Sequence, residues 1–429
     1  MTGEATATAS VLPSDQTEDG LEDIAHLVLR FGRLLLVNGA DTERVHHVVA
    51  DVAARFGCEA HLSVTYEALL LTVSRGTRFR TRIGAHVPAL GVNLGAIERL
   101  NAVLDALAAG AIDRAGVAAR LDAIEAGTPN WPRMAIALAL GVTAASLVRL
   151  FGGDWAATAA ALVAGVVGTW ARLAMAGRHW SPLVVTFLTA LFSGALGAAG
   201  ARLGGTATPA LCLVAPGMIL VPGVPFINGI RDVIRNHMTF GLARLGFAGL
   251  LTLAIAVGLV TVTRLSGVAI PLDGAPQGPP LLEDALFSAL AAIGYALLFG
   301  VPSRLLWACM LCGLASHALR SALGLAGIGL VPGSLVAAAV AGVLAQLWAR
   351  RFRVPPVAFV FPGVVAMIPG AYAFRVVVGA VAIMQAGAAA PAAQIAETLG
   401  LLVETAGMVV AIGIGVAVPL ALLDNRRNG

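Results

Sequence analysis

Residues 216–232 read PGMILVPGVPFINGIRD. The stretch ends an apolar run that would otherwise make a membrane helix. Two Pro-Gly pairs, Pro216-Gly217 and Pro222-Gly223, interrupt it, and Pro225 follows. Proline removes a backbone donor and clashes with the preceding turn, and glycine lets the chain unwind. Irregular backbone at membrane depth survives only where protein or a water-filled cavity covers it. A second copy lies further on. Pro209, Pro216 and Gly217 recur as Pro355, Pro362 and Gly363, 146 residues later, and Pro222-Gly223 recurs as Pro369-Gly370, 147 residues later. The chain is organised around these two breaks.

The surrounding composition fixes the class. Of 429 residues, 58% are hydrophobic and 12% charged, against roughly 25% charged in soluble domains. This is a polytopic α-helical membrane protein. Apolar spans are expected at about 133–151, 155–176, 181–202, 208–226 and 243–264, then at 282–300, 303–323, 328–348, 355–373 and 398–423. Each is near the ~20 residues that cross a bilayer. The breaks fall in the fourth span of each half. Five is odd, so two tandem five-helix units face opposite ways. The expectation is ten transmembrane helices in two inverted repeats, 129–265 and 282–424, joined by an external Pro-rich loop at 266–281.

A different domain comes first. Residues 1–20 are polar and acidic, lack a charged-then-apolar leader, and read as a disordered tail. From 21 to 128 the pattern is that of a small α+β domain. Leu21, Ile24, Val28, Phe31 and Leu35 keep helical spacing up to Asn38-Gly39, and Asp41 or Thr42 can cap a second helix. Leu62 to Tyr66, Leu69 to Val73 and Phe79 to Ile83 alternate as short strands, and helices return at about 93–109 and 113–126. Thr128 to Pro132 is the hinge into the membrane, with Trp131 suited to its interface.

Every basic residue is Arg. With the N-terminal domain in the cytoplasm, the inner side holds Arg172, Arg178, Arg231, Arg235, Arg244, Arg304, Arg350, Arg351, Arg353, Arg426 and Arg427. The outer side holds Arg149, Arg202, Arg264, Arg320 and Arg375. The bias follows the positive-inside rule and puts both termini in the cytoplasm.

The expected pathway comprises the two breaks (Pro216, Gly217, Pro222, Gly223; Pro362, Gly363, Pro369, Gly370) and the polar residues beside them, Asn228, Arg231, Asp232 and Arg375. Charges within a span are costly and tend to line pathways, although Arg231 also fits as the cytoplasmic end of a span. A helix restarting after Gly223 points N–H groups at an anion and suits a carboxylate. Asn228 suits an ammonium or hydroxyl, and Asp232 an ammonium or a proton. Other groups carry less. Cys309 and Cys312 read as small apolar fillers, and Cys58 and Cys212 imply no disulfide framework. Glu43, His47 and Asp51 share a solvated helix face. Tyr66, Glu67 and Arg75, Arg78, Arg80 and Arg82 decorate the strands. No Walker loop, GxSxG or HExxH is present, so ATP-driven transport and these hydrolase types have no support. No metal, cofactor or nucleic acid is expected.

Three stretches carry a family resemblance: LLLVNGADTERVHHVVADVAARFG at 34–57, LVPGVPFINGIRDVI at 220–234 with GLARL at 241–245, and FPGVVAMIPGAYAFR at 361–375. They resemble the threonine/serine exporter family across about residues 21–424. His237 and Phe240 stand where the family commonly has an acidic and a small polar residue. The resemblance implies a non-enzymatic, multi-pass bacterial inner-membrane exporter of small hydroxy amino acids, driven by the proton gradient. Some members are split over two chains and resemble dicarboxylate exporters. A small-solute channel and a membrane-anchored hydrolase are the rival readings. The substrate class is therefore an amino acid or a dicarboxylate, with protons and the bilayer as partners and room for a homo-oligomer.

Overall fold

In the computed structural model, the described residues are 18–65, 68–85, 91–127, 130–176, 178, 180–268, 278–352 and 354–424. Most of the leading tail, Tyr66 and Glu67, Thr128 and Pro129, Arg353, Arg426, Arg427 and most of the Pro271–Pro280 loop lie outside them. The chain divides into two compact units, 1–92 with 96–128 and 93–95 with 129–429.

The first unit holds α1 (Glu18–Val37), α2 (Thr42–Arg55), β1 (Glu59–Val64), β2 (Ala68–Arg75), β3 (Arg78–Ala85), α3 (Leu94–Ala108) and α4 (Arg114–Glu125). Helix α1 starts inside the segment that reads as tail. Gly39 stops it with a φ of 98°, and Asp41, rather than Thr42, caps α2 by accepting from the Arg44 N–H at 3.0 Å. The strands form an antiparallel sheet in the order β1-β2-β3. Leu69, Leu71 and Val73 are buried with Ile24, Phe31, Leu35, Val45 and Val52, while Phe79 and Ile83 are exposed on the other face. The alternation of β3 is thus that of a strand with its apolar residues turned outward. Arg75 donates to the Phe56 carbonyl and Arg82 to Glu22, so two of the strand arginines are engaged inside the domain.

The second unit is helical: α5 (Arg133–Leu150), α6 (Trp155–Met175), α7 (Pro182–Gly204), α8 (Pro209–Met218), α9 (Gly223–Ile234) and α10 (Met238–Ser266). Then follow α11 (Leu281–Leu298), α12 (Leu306–Leu325), α13 (Leu330–Phe352), α14 (Val357–Val365), α15 (Gly370–Ala386) and α16 (Ala392–Asp424). Among the described residues nine helices are long and apolar enough to cross a membrane, and α8 with α9, bent by 54°, brings the number to ten. Both halves run three helices, a short helix, a break, a second helix and a long last helix.

The fourth span of each half extends past where the sequence reading ends it, to Ile234 and Ala386. The reason is local. Pro225 falls in the first turn of α9, where its missing N–H is not needed. Four arginines also change place. Arg244, Arg320 and Arg375 lie inside helices, and Arg231 in the last turn of α9.

The halves pack reciprocally. Helix α5 lies against α11, α8 against α15 and α9 against α14. Helix α9 also packs on α16, and α15 on α10. Each of these contacts has its counterpart in the other half.

Candidate functional site

The breaks are two copies of one turn. Pro222 has φ, ψ of −78°, 66° and Pro369 has −77°, 54°. These are values of an inverse γ-turn. Its hydrogen bond is present in each: the Gly223 N–H donates to the Val221 carbonyl at 2.8 Å and the Gly370 N–H to the Ile368 carbonyl at 2.7 Å. The turn revises one expectation. The first N–H of each restarting helix is already used, and Pro225 has none, so Val224 supplies the outward N–H of the first turn of α9. The second break is richer, because Ala371 and Tyr372 both carry an N–H there.

The two turns face each other. A Cβ at Gly223 would sit 2.4 Å from Cδ1 of Ile368 and 3.2 Å from Cγ2 of Val365, and one at Gly370 would sit 3.1 Å from Cγ2 of Val221. Each glycine is therefore what lets its turn approach the other. Beside them lies a small cavity lined by Leu147, Met218, Val221, Tyr295, Val365, Ala366 and Ile368. All but Ala366 pair across the halves: Met218 with Val365, Val221 with Ile368, and Leu147 of α5 with Tyr295 of α11. The cavity is only about 10 Å³, roughly the space of one water.

Proline inside α8 and α14 leaves carbonyls without their helical donors, and each is covered differently. Pro216 deprives the Cys212 carbonyl, against which Gly197 of α7 packs so closely that a Cβ would lie 2.0 Å from the oxygen. Pro362 deprives the Ala358 carbonyl, and the Cys309 thiol donates to it at 3.3 Å. Cys312 donates to the Ala341 carbonyl at 3.6 Å, and Ser316 of α12 to the Gly363 carbonyl at 3.0 Å. The two cysteines are buried as the filler reading holds, and each also acts as a donor. Satisfying freed backbone groups from neighbouring helices is what makes such breaks tolerable in lipid.

The polar residues after the first break lie along α9. Asn228 to Asp232 are five to nine residues beyond Gly223, about 8–14 Å at 1.5 Å per residue. Asn228, Arg231 and Asp232 are all buried. Arg231 donates to Asn228 across one turn at 3.4 Å. Asp232 accepts from Arg244 of α10 at 2.5 Å, with the two side chains 1% and 2% exposed. Phe240 lies under the same guanidinium, its ring centre 4.4 Å away. The aromatic residue at this position thus stacks on the charge that holds Asp232. Arg244 is the partner of Asp232 that sequence reading missed, having counted it as a loop charge. Its signal was spacing: twelve residues separate it from Asp232, enough for one turn and a return. Arg375 lies in the second turn of α15, half-buried, on the other half.

A second buried cluster was also missed. Asp284 of α11, His317 and Arg320 of α12 and Ser321 form a chain of side chains. His317 Nδ1 lies 2.8 Å from Asp284 Oδ1, Ser321 donates to Asp284 Oδ2 at 2.8 Å, and Arg320 Nη2 lies 2.7 Å from His317 Nε2. Arg320 Nη1 donates to the Met367 carbonyl, in the second break, at 3.1 Å. Among the described residues no group of His, Cys, Asp and Glu is placed to hold a metal ion.

Comparison with known proteins bears on the whole chain. Residues 26–266 match the family described as a putative threonine/serine exporter, and residues 284–422 a second described as threonine/serine exporter, ThrE. A probable threonine/serine exporter of Mycobacterium tuberculosis is 27% identical over 386 residues, 84% of this chain and 72% of that protein. The probable succinate transporter subunits YjjP of Escherichia coli and Klebsiella aerogenes are 26% and 24% identical over 247 residues, 57% of this chain and 95% of each. No solved structure matches the chain.

Proposed function

The chain belongs to the threonine/serine exporter family, and on that premise we propose that it is a secondary exporter of a small hydroxy amino acid, threonine or serine, driven by the proton gradient. The observation that carries this is the reciprocal meeting of the two turns, with Gly223 against Val365 and Ile368 and Gly370 against Val221. Two matching breaks meeting on a pseudo-twofold axis are the plan on which inverted-repeat transporters place their substrates. In this reading the five-helix halves are inverted, both termini are cytoplasmic in a bacterial inner membrane, and the halves rock about the paired turns. The substrate carboxylate meets the N–H groups of Val224, Ala371 and Tyr372, with Arg231 or Arg375 adding positive charge. The first unit gates or regulates.

Asp232 takes a narrower role than a freely titrating carrier. Its carboxylate is held by Arg244 of α10 at 2.5 Å. It anchors α9 to α10, so that the helix behind the first break moves as one piece with its neighbour. A dicarboxylate is the second substrate reading, favoured by the similarity to subunits named as succinate transporters. Its two carboxylates would need cationic partners on both halves, and Arg231 on α9 and Arg375 on α15 would supply them.

Counterflow in proteoliposomes decides between them. Protein loaded with unlabelled threonine should accumulate labelled threonine or serine and leave labelled succinate outside. Accumulation of succinate alone would transfer the chain to the dicarboxylate reading. Flux that never exceeds equilibration, with a proton gradient imposed, would make it a channel.

A further inference from the structure

The buried cluster beside the second break has a defined proton arrangement. Arginine carries donors only, so the 2.7 Å contact from Arg320 Nη2 must end on a lone pair of His317 Nε2. The ring proton then sits on Nδ1 and is donated to Asp284 Oδ1 at 2.8 Å. His317 is neutral here, lying between a carboxylate and a guanidinium, and every polar atom of the ring is used. Asp284 and His317 are 2% and 4% exposed, whereas Arg320 and Ser321 are half-buried. The Arg320 side is thus the more open side of the cluster.

The surroundings leave few other groups to titrate. On α11 the neighbouring Glu283 is turned to Arg149, and Tyr295 lies three turns on. Helix α14 has no ionisable side chain, and those of α13 are Arg350 and Arg351 in its last turn. On α12 itself Cys309 and Cys312 donate to backbone carbonyls. Helix α15 carries Tyr372 and Arg375, and α16 carries Glu397 and Glu404.

A proton added to His317 would bond to Nε2. It would then point at an Arg320 N–H along a line that two donors cannot share, and two positive charges would meet there. Arg320 has to withdraw. Its other arm holds the Met367 carbonyl, one of the four residues between α14 and α15. Protonation of the ring and release of the second break are thus a single event. Asp284, relieved of nothing, keeps its bond to Nδ1–H and balances the imidazolium.

We propose that His317 takes up the proton exchanged during transport, and that Arg320 carries that uptake to the second break at Met367. The proposal rests on the proton-driven reading above for its role in export, but its structural content is independent of the substrate.

The test uses the full chain in proteoliposomes with Ala366→Cys, whose side chain lines the cavity between the breaks. Maleimide labelling is followed from about pH 5 to about pH 8, the range in which histidine ordinarily changes charge. The native cysteines are buried, and the chain without Ala366→Cys gives their background. Labelling of Ala366→Cys should change several-fold across this range. Adding His317→Gln, which can still donate to Asp284 and accept from Arg320, should make it flat. Ser321→Ala, a milder change that removes one donor to Asp284, should move the midpoint without abolishing it. The proposal fails if labelling of Ala366→Cys ignores pH, if His317→Gln leaves the pH dependence intact, or if Ser321→Ala leaves the midpoint unmoved. Threonine flux is read separately in the same vesicles. His317→Gln should keep exchange and lose accumulation driven by a proton gradient, and retained accumulation would also overturn the proposal. If neither threonine nor succinate moves but labelling follows pH as described, the substrate assignment falls and the role of His317 stands.

Discussion

The Cys309 thiol donates to the carbonyl of Ala358, the acceptor that Pro362 leaves without its helical N–H. A cysteine that reads from sequence as filler therefore completes the backbone of the second break. Cys309→Ala should strand that carbonyl and cost about 1–3 kcal/mol. Cys309→Ser keeps a donor and should cost less. Thermal unfolding in detergent checks the order, and equal losses for the two variants would leave only packing as the role of Cys309.

The meeting of the turns makes a paired prediction. Gly223→Leu should reduce exchange to background while expression stays normal, because the added side chain fills the space held by Ile368. Gly223→Ala should be impaired through the 2.4 Å approach to Cδ1 of Ile368. Ile368→Val removes that atom, so the double variant should recover part of the exchange rate. Absence of any recovery would mean that Gly223 is needed for its backbone rather than for the approach.

Asp232 and Arg244 should be coupled in stability. Removing one partner of a buried ion pair leaves the other charge uncompensated and typically costs about 3–5 kcal/mol. Asp232→Asn and Arg244→Gln should each lower folded yield, and Asp232→Leu with Arg244→Met should restore it. If that double variant also exchanges substrate, the pair is an anchor. If it folds and does not exchange, one of the two charges touches the substrate.

Residues 1–128 expressed alone should fold cooperatively, since Ile24, Phe31, Leu35, Leu69, Leu71, Leu100 and Leu121 form a buried core within that unit. The hydrogen bond from Arg82 holds the Glu22 carboxyl below its ordinary range. A depressed carboxyl contributes stability above its unfolded pKa and loses it as pH falls through the folded value. The melting temperature should therefore drop on acidification below the ordinary carboxylate range. Arg82→Ala should reduce that drop, as followed by circular dichroism.

The breaks and the ten spans were legible in the sequence because the chemistry of proline and glycine is local. Pro216 and Pro362 act on their own helices, and a repeat spacing of 146 residues shows without any knowledge of packing. The ion pairs were not legible, because their partners are distant. Arg244 reads as a loop charge until α9 and α10 fold back on each other. Asp284 and His317 are 33 residues apart on separate helices, and Arg320 reads as the end of a span. One signal was present and unused: His317 and Arg320 stand three apart inside an apolar span, and charge there tends to mark function. Which face of β3 is covered was not legible either, since alternation gives two faces without saying which is buried.

The reciprocal packing of the halves has a consequence for how the protein could be made. The two sets of six helices are joined by one covalent crossing, between α10 and α11. The rest of their interface consists of side chains and close-fitting glycines. A chain opened within that connection would lose no contact between the breaks, and its two fragments would carry matching surfaces. Co-expressed as separate polypeptides, residues 1–268 and 278–429 should find each other in the membrane and reconstitute the exchange activity of the intact chain, with the assembly behaving as a heterodimer.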